Sequence, residues 1–355
     1  MLLATTKLLY TTSSSQNPDI MKNPPEPIRD IAHLGHVEIF THKPEASLAF
    51  FENVLGMTQV AAQGSSVFLR GWGDYDLYTL KLTASNKAGL GHVGWRTVTP
   101  HALERQVESL KKNGCGKGWV ENEFGHGPAW QFTDPDNHLM EVYYESEKYR
   151  APSNLRSRLI NQPQKYPARG ANIQRLDHVN LMCSNVTPPR DFLIEKLGFK
   201  LRENIILDNG IEAGAWLSVT PLAHDIAYTR DFTNNKGRLH HIAFWLESRD
   251  ELLRAADILK ENDIFIEAGP NKHGITQAIF LYLYEPGGNR VELFSGGYLI
   301  FAPDFKPVTW SEKERGTGVH WGGVLPESFR QYGTPVTDLS QTKTAVLSRE
   351  PVLNI

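Results

Sequence analysis

The chain is short of several things, and each shortage closes a route. Only two cysteines, Cys115 and Cys183, occur in 355 residues, far apart and outside any CxxC or Cys/His knuckle. That argues against a disulfide framework and against thiolate zinc, and it fits a reducing compartment. No block of Lys or Arg stands out among 37 basic and 40 acidic side chains, and the formal net charge is −3. Nothing in that balance advertises a nucleic-acid or other polyanionic partner. No apolar run approaches the roughly 20 residues of a membrane span. With 22% charged and 40% hydrophobic residues the composition is that of a globular protein. Its length suggests about two domains of ordinary size.

Residues 1–30 combine Met1-Leu2-Leu3 and Leu8-Leu9-Tyr10 with a Thr/Ser-rich stretch and with Pro24, Pro25 and Pro27. A secretory signal needs a longer apolar stretch, and a transit peptide carries more Arg than a leader whose first is Arg29. We read this segment as a flexible leader on a cytoplasmic protein.

What the chain does have is an internal repeat. Four short apolar strands are each built around a histidine: Leu34-Gly-His36-Val, Leu90-Gly-His92-Val, Leu176-Asp-His178-Val and Leu239-His-His241-Ile. A helical pattern follows each, over 44–56, 100–114, 189–198 and 248–262. Pro near the start and Gly at the end punctuate several of them, and Ser248 with Glu251 reads as a capping box. His178 lies 142 positions beyond His36, and Phe192, Leu197 and Gly198 lie equally far beyond Phe50, Leu55 and Gly56. His241 lies 149 beyond His92, and Glu285-Pro-Gly-Gly-Asn-Arg-Val-Glu292 parallels Asp134-Pro-Asp-Asn-His-Leu-Met-Glu141 at an offset of 151. The spacing predicts two modules, 31–148 and 173–300, each of two βαβββ units. A proline-containing linker, 149–172, joins them, and 301–355 reads as a C-terminal tail of low order. The expected class is α+β, with the sheets of paired units curled around a metal-binding cavity.

Side chains alternate along a strand, so His178 and Asn180 face one side. The repeat puts His241, not His240, in register with the other three histidines. If the units pack with pseudo-twofold symmetry, two histidines meet and Glu292, on a last strand, completes one face of a metal. Two histidines and one carboxylate with open positions is the set used by non-haem Fe(II) oxygenases. A lone histidine on an apolar strand is more often a hydrogen-bonded core residue, but four in register argue otherwise.

The segment from Asn271 to Glu292, with His273, Tyr282, Glu285-Pro286, Gly288 and Glu292, resembles the signature of the type I extradiol ring-cleavage dioxygenases. These belong to the vicinal-oxygen-chelate superfamily and include the catechol 2,3-dioxygenases. The resemblance implies His178, His241 and Glu292 as ligands of Fe(2+), with Mn(2+) the alternative because close relatives use either. It implies Asn180, His224, His273 and Tyr282 as the catalytic set, the last two also contacting substrate, and Trp216 as a pocket wall. The implied partners are a catecholic substrate and O2, and the implied assembly is a homo-oligomer, a tetramer. The implied reaction is meta cleavage of catechol or alkyl-catechols to a 2-hydroxymuconic semialdehyde-type product. Competing readings are a homoprotocatechuate 2,3-dioxygenase, a glyoxalase-like isomerase or lyase, and a non-catalytic small-molecule-binding protein.

The first module carries His36, His92 and Glu141 at the ligand positions. Aligning Asp76 with Asp225 puts Tyr75 at the place of His224, and Gln131 falls at that of Tyr282, while His126-Gly127 echoes His273-Gly274. The expectation is a vestigial, non-catalytic site there. Homoprotocatechuate-cleaving relatives place Arg where this chain has Ala268, and Arg290 and Arg315 are the nearest substitutes by sequence. That predicts a cavity without a cation and a preference for catechol and small alkyl-catechols.

Overall fold

The computed structural model describes residues 28–316 and 318–334. Most of the leader and the last part of the tail therefore lie outside the described residues. Unit one comprises β1 (Ile31–Thr41), α1 (Pro44–Ala49) running into a π-helical turn (Phe50–Val54), β2 (Thr58–Gln63), β3 (Ser66–Arg70) and β4 (Leu80–Ala84). Unit two is β5 (Gly89–Thr97), α2 (Pro100–Lys112), β6 (Gly116–Val120), β7 (Ala129–Thr133) and β8 (Leu139–Tyr143). Unit three is β9 (Arg175–Cys183), α3 (Thr187–Leu197), β10 (Lys200–Ile206), β11 (Glu212–Ser218) and β12 (Ile226–Arg230). Unit four is β13 (Arg238–Trp245), α4 (Arg249–Glu261), β14 (Ile266–Lys272), β15 (Ala278–Tyr284) and β16 (Arg290–Gly296). Each follows the order strand, helix, three strands.

The units pair into two sheets, β2-β3-β4-β1-β5-β8-β7-β6 and β14-β15-β16-β13-β9-β12-β11-β10-β17, where β17 is Val308–Ser311. In each sheet the first strands of two units meet antiparallel at the centre, β1 with β5 and β9 with β13. The histidine-bearing strands are thus neighbours. The helices bury one apolar stripe each: α2 covers Ala102, Val107 and Leu110, and α4 covers Leu252, Ala255 and Leu259. Ser248 caps α4 by accepting from the Glu251 N–H, but the Glu251 carboxylate takes the Glu247 N–H, so the expected box is displaced by one residue. No helix among the described residues is long and apolar enough to cross a membrane.

The tail departs from expectation up to Thr334. β17 adds parallel to β10, and two short helices follow, α5 (Glu312–Arg315) and α6 (Glu327–Gln331). Ser311 and Glu314 close a reciprocal capping box on α5, a pattern visible in the sequence. The strand went unforeseen because it is four residues long and has no copy in the first module.

The two acidic-Pro turns hold the modules together. Glu285, buried, accepts from Ser47 Oγ of the first module at 2.5 Å and from the Gly287 and Asn289 N–H groups, while Asn289 Nδ2 donates to Phe40 O. Reciprocally, Asp134 accepts from Tyr228 Oη at 2.8 Å, and Asp136 accepts from Ser184 Oγ at 2.6 Å. These residues act as a clasp, away from the metal-ligand candidates. Ser47→Ala is expected to lower stability by about 1.5–3 kcal/mol, the range for a buried hydrogen bond to a charged group. The check is a fall in denaturant midpoint at constant slope; an unmoved midpoint would leave the clasp to Asn289 and to the Tyr228 and Ser184 hydroxyls.

Candidate metal centre and its cavity

Strand register builds the centre. Tyr282 on β15 sits opposite Glu292 on β16, Glu292 is paired with Ala243 on β13, and Ala243 with His178 on β9. A register shift between Leu239 and His241 brings His241 opposite Asn180. All these side chains reach the same face.

Glu292 Oε2 lies 2.9 Å from His178 Nε2 and 3.0 Å from His241 Nε2, and the two nitrogens are 3.3 Å apart. A transition-metal ion about 2.0–2.2 Å from N and O donors has adjacent ligands about 3 Å apart. The three buried groups fit such an ion without rearrangement. Two of the three donors already offer the lone pair that a ligand must. Burial pushes His241 down to about 4. Burial alone would raise Glu292, but His241 and hydrogen bonds from the surrounding imidazoles hold it well below the usual range. Burial alone would lower His178, yet its bonds to Asp177 and Glu292 push it up to about 9. A divalent cation held by these three residues would supply the compensation that a proton on His178 otherwise provides.

Two flanking residues escaped the sequence reading. Asp177 Oδ2 accepts from His178 Nδ1 at 2.7 Å, which aims Nε2 at the centre. It directly precedes His178, and alternation along the strand disguised it. His240 Nε2 donates to Phe329 O at 2.7 Å, which leaves His240 Nδ1 to accept from His241 Nδ1 at 2.6 Å. The His241 Nε2 lone pair then faces Glu292.

All eight candidate residues line one cavity of about 420 Å³: His178, Asn180, Trp216, His224, His241, His273, Tyr282 and Glu292. The His224 ring lies 4.0 Å from that of His178, and burial, reinforced by His178, holds its pKa well below the ordinary value. His273 Nε2 is 2.9 Å from Tyr282 Oη and 3.3 Å from Glu292 Oε1. Asn180 Oδ1 accepts from Thr229 Oγ1 at 2.5 Å. Apolar walls come from Met182, Ile205, Ile275, Phe294 and, out of the tail, Val319, Leu325 and Phe329.

The expected absence of a cation fails. Arg230, Arg315 and Arg330 line the cavity with Glu312, whereas Arg290 is buried on Glu267 through two bonds of 2.6 and 2.9 Å. Ala268 pairs with Tyr282 across the sheet and is not on the cavity wall. The first-module alignment also shifts. Leu80 faces Val37 as Ile226 faces Val179, so the counterpart of His224 is Tyr78, not Tyr75. Tyr78 is buried with its ring 5.2 Å from His36, while Tyr75 is exposed. The loops before these strands differ in length, and matching Asp76 to Asp225 ignored that.

A family model for the Glyoxalase/Bleomycin resistance protein/Dioxygenase superfamily matches residues 33–142 and 175–293. The chain belongs to that superfamily, and each module is one copy of its domain. It is 49% identical over 319 residues to a metapyrocatechase of Geobacillus stearothermophilus, covering 89% of this chain and 97% of that one. It is 44% identical to a manganese-dependent 2,3-dihydroxybiphenyl 1,2-dioxygenase of Geobacillus genomosp. 3, covering 88% and 99%. Among solved structures, the 2,3-dioxygenase LapB from Pseudomonas sp. KL28 superposes with a TM-score of 0.74 at 29% identity, covering 80% of this chain and 98% of that one. The homoprotocatechuate 2,3-dioxygenase from Arthrobacter globiformis gives 0.79 at 27% identity, covering 90% and 96%.

Asp177→Asn keeps the shape of the side chain and removes its charge. We expect cation affinity to fall by about 10–100-fold, the usual effect of losing such a partner. Competition against a chromogenic chelator measures it; wild-type affinity would show that Asp177 does not orient His178.

Proposed function

We propose that this protein opens catecholic rings with O2 by extradiol cleavage, giving a 2-hydroxymuconic semialdehyde-type product. The observation that carries the reading is the convergence of two histidines, a carboxylate, a buried imidazole and a tyrosine on one apolar-walled cavity. His178, His241 and Glu292 are the ligands, and iron(II) is the ion we assign. Manganese(II) suits the same donors, and one relative carries manganese in its name. When bound, the ion supplies a common docking point for substrate oxygens and O2 and a path for electrons between them.

The remaining steps belong to the side chains. His224 is uncharged in its buried setting, so it meets a catechol hydroxyl with a free ring nitrogen. The negative charge left on the ring oxygen stabilises the imidazolium that forms. His224 thus takes the proton as the substrate arrives and returns it later in the cycle. Tyr282 keeps its own proton, because burial and Glu292 hold its pKa well above the ordinary value. It acts as a hydrogen-bonding group positioned by His273. Asn180 presents its amide N–H groups to the cavity, since its carbonyl oxygen is taken by Thr229. Trp216 and Phe294 shield the reacting atoms from water.

His224→Phe should keep metal and substrate but slow turnover by about 10²-fold or more, the scale of a lost general acid–base group. An unimpaired rate at neutral pH removes His224 from the mechanism.

The function itself is tested by anaerobic reconstitution with Fe(II), followed by kcat/KM for catechol, 3- and 4-methylcatechol and homoprotocatechuate at one oxygen concentration. Arg230 and Arg315 are half-buried, Arg330 is exposed, and Glu312 shares their rim. Their pull on a carboxylate is screened by solvent, so the methylcatechols and catechol are expected to be preferred. A tenfold advantage for homoprotocatechuate would make the arginines an anion receptor. No ring-fission product from any catechol would overturn the function.

A further inference from the structure

We propose that the first module holds a divalent cation of its own, bound by His36, His126 and Glu141 with His92 alongside, and that this ion is structural. Glu141 Oε1 is buried and accepts no hydrogen bond. Around it lie three imidazole Nε2 atoms, His36 at 3.3 Å, His126 at 3.5 Å and His92 at 3.6 Å, and the His36 and His92 nitrogens are 2.9 Å apart. His36, His126 and Glu141 each offer a ligand atom within 4.8 Å of the others, as His178, His241 and Glu292 do in the second module.

The tautomers sharpen the case. His92 Nδ1 lies 2.8 Å from Glu38 Oε2 and His126 Nδ1 lies 2.7 Å from Gly127 O, so both ring nitrogens donate outward. Their Nε2 lone pairs therefore point inward, at a carboxylate oxygen that is also electron-rich. A neutral His36 can donate its Nε2–H to only one of these acceptors, and lone pairs left facing one another in a buried space repel unless a positive charge sits among them. A proton on His92 is one such charge, and a divalent cation displaces it. The His92–Glu38 pair repeats the carboxylate–imidazole arrangement of Asp177 and His178. Glu38 is itself fixed by Thr83 at 2.6 Å and Lys81 at 3.4 Å.

Backbone shape agrees. Gly94 lies between Glu141 and His36 in the cross-strand row, and a Cβ there would come within 2.3 Å of the His36 ring. A Cβ on Gly91 would meet the Glu38 carboxylate at 2.6 Å. Both glycines leave room for the cluster.

Nitrogen-rich donors with one carboxylate favour a borderline ion such as zinc or cobalt(II). The four side chains are between 1 and 6% exposed, and neither described cavity reaches them. Closed sites of this type are structural, because no position is left for substrate.

The test uses the full chain without a metal-binding tag. Glu292→Ala removes the carboxylate of the second-module centre, so any ion that the variant retains reports the first module. After incubation with cobalt(II) and gel filtration, that variant is expected to hold about one ion per chain by elemental analysis. It should also show visible absorption of a cobalt ion with few, mostly nitrogen, ligands. Adding the isosteric Glu141→Gln should abolish both. As a control on folding, Glu141→Gln alone should lose one of the two ions of the wild-type chain and keep the other. Glu292→Ala protein that is folded by circular dichroism yet retains no cobalt overturns the proposal. So does equal retention with and without Glu141→Gln.

Discussion

The centre of each module depends on a glutamate and a histidine reaching toward each other over a small residue on the strand between them. In the second module the row is Glu292, Ala243, His178; in the first it is Glu141, Gly94, His36. Neighbouring strands lie about 4.7–4.9 Å apart, so the outer two backbones are too distant for direct pairing. Only long side chains close the gap, and only if the middle position leaves space above the sheet. The row therefore fixes three things at once: strand order, register, and the small residue at 94 and 243. A slip of one residue would turn both ligands to the opposite face.

The two copies of this row have diverged in how they are enclosed. Asn180 of the second module corresponds to Glu38 of the first, since each lies two residues beyond the strand histidine and opposite the second histidine. The neutral amide leaves the second site without an added charge and free to face a ligand. The carboxylate of Glu38 grips His92 instead. His224 and Tyr282 are replaced by Tyr78 and Gln131, and Gln131 Nε2 donates to Glu141 at 3.2 Å, turning a place for substrate into an internal bond. One architecture thus supports an open centre and a closed one.

Repetition made much of this legible in the sequence. Four histidine strands with matching helices and turns imply four units, and the offsets locate His178, His241 and Glu292 without knowledge of the sheet. What was hidden follows from the limits of the same method. Comparison of copies cannot place a residue whose loop changed length, hence Tyr75 for Tyr78. It says nothing of a segment with no copy, hence the missed β17 and the arginines brought in by α5 and α6. Strand alternation separates neighbours onto opposite faces, which set aside Asp177 and His240, although each acts through the adjacent ligand's ring. The acid-Pro turns, visible in the sequence as part of the repeat, serve the joint between modules.

The tail ties cover and centre into one unit. The Phe329 carbonyl, on α6, accepts a hydrogen bond from His240 Nε2–H, and that choice obliges His240 Nδ1 to accept from His241. The tautomer of a metal-ligand candidate is therefore set by a helix that also walls the cavity through the Phe329 ring. Arg290 reinforces the link: it is anchored on Glu267 and donates to the His240, Ser328 and Tyr332 carbonyls. A shift of α6 would loosen the apolar wall and break the hydrogen bond that fixes the His240 tautomer and, through it, His241. Closure over the cavity and readiness of the centre are then one structural state, held by hydrogen bonds that lie behind the site.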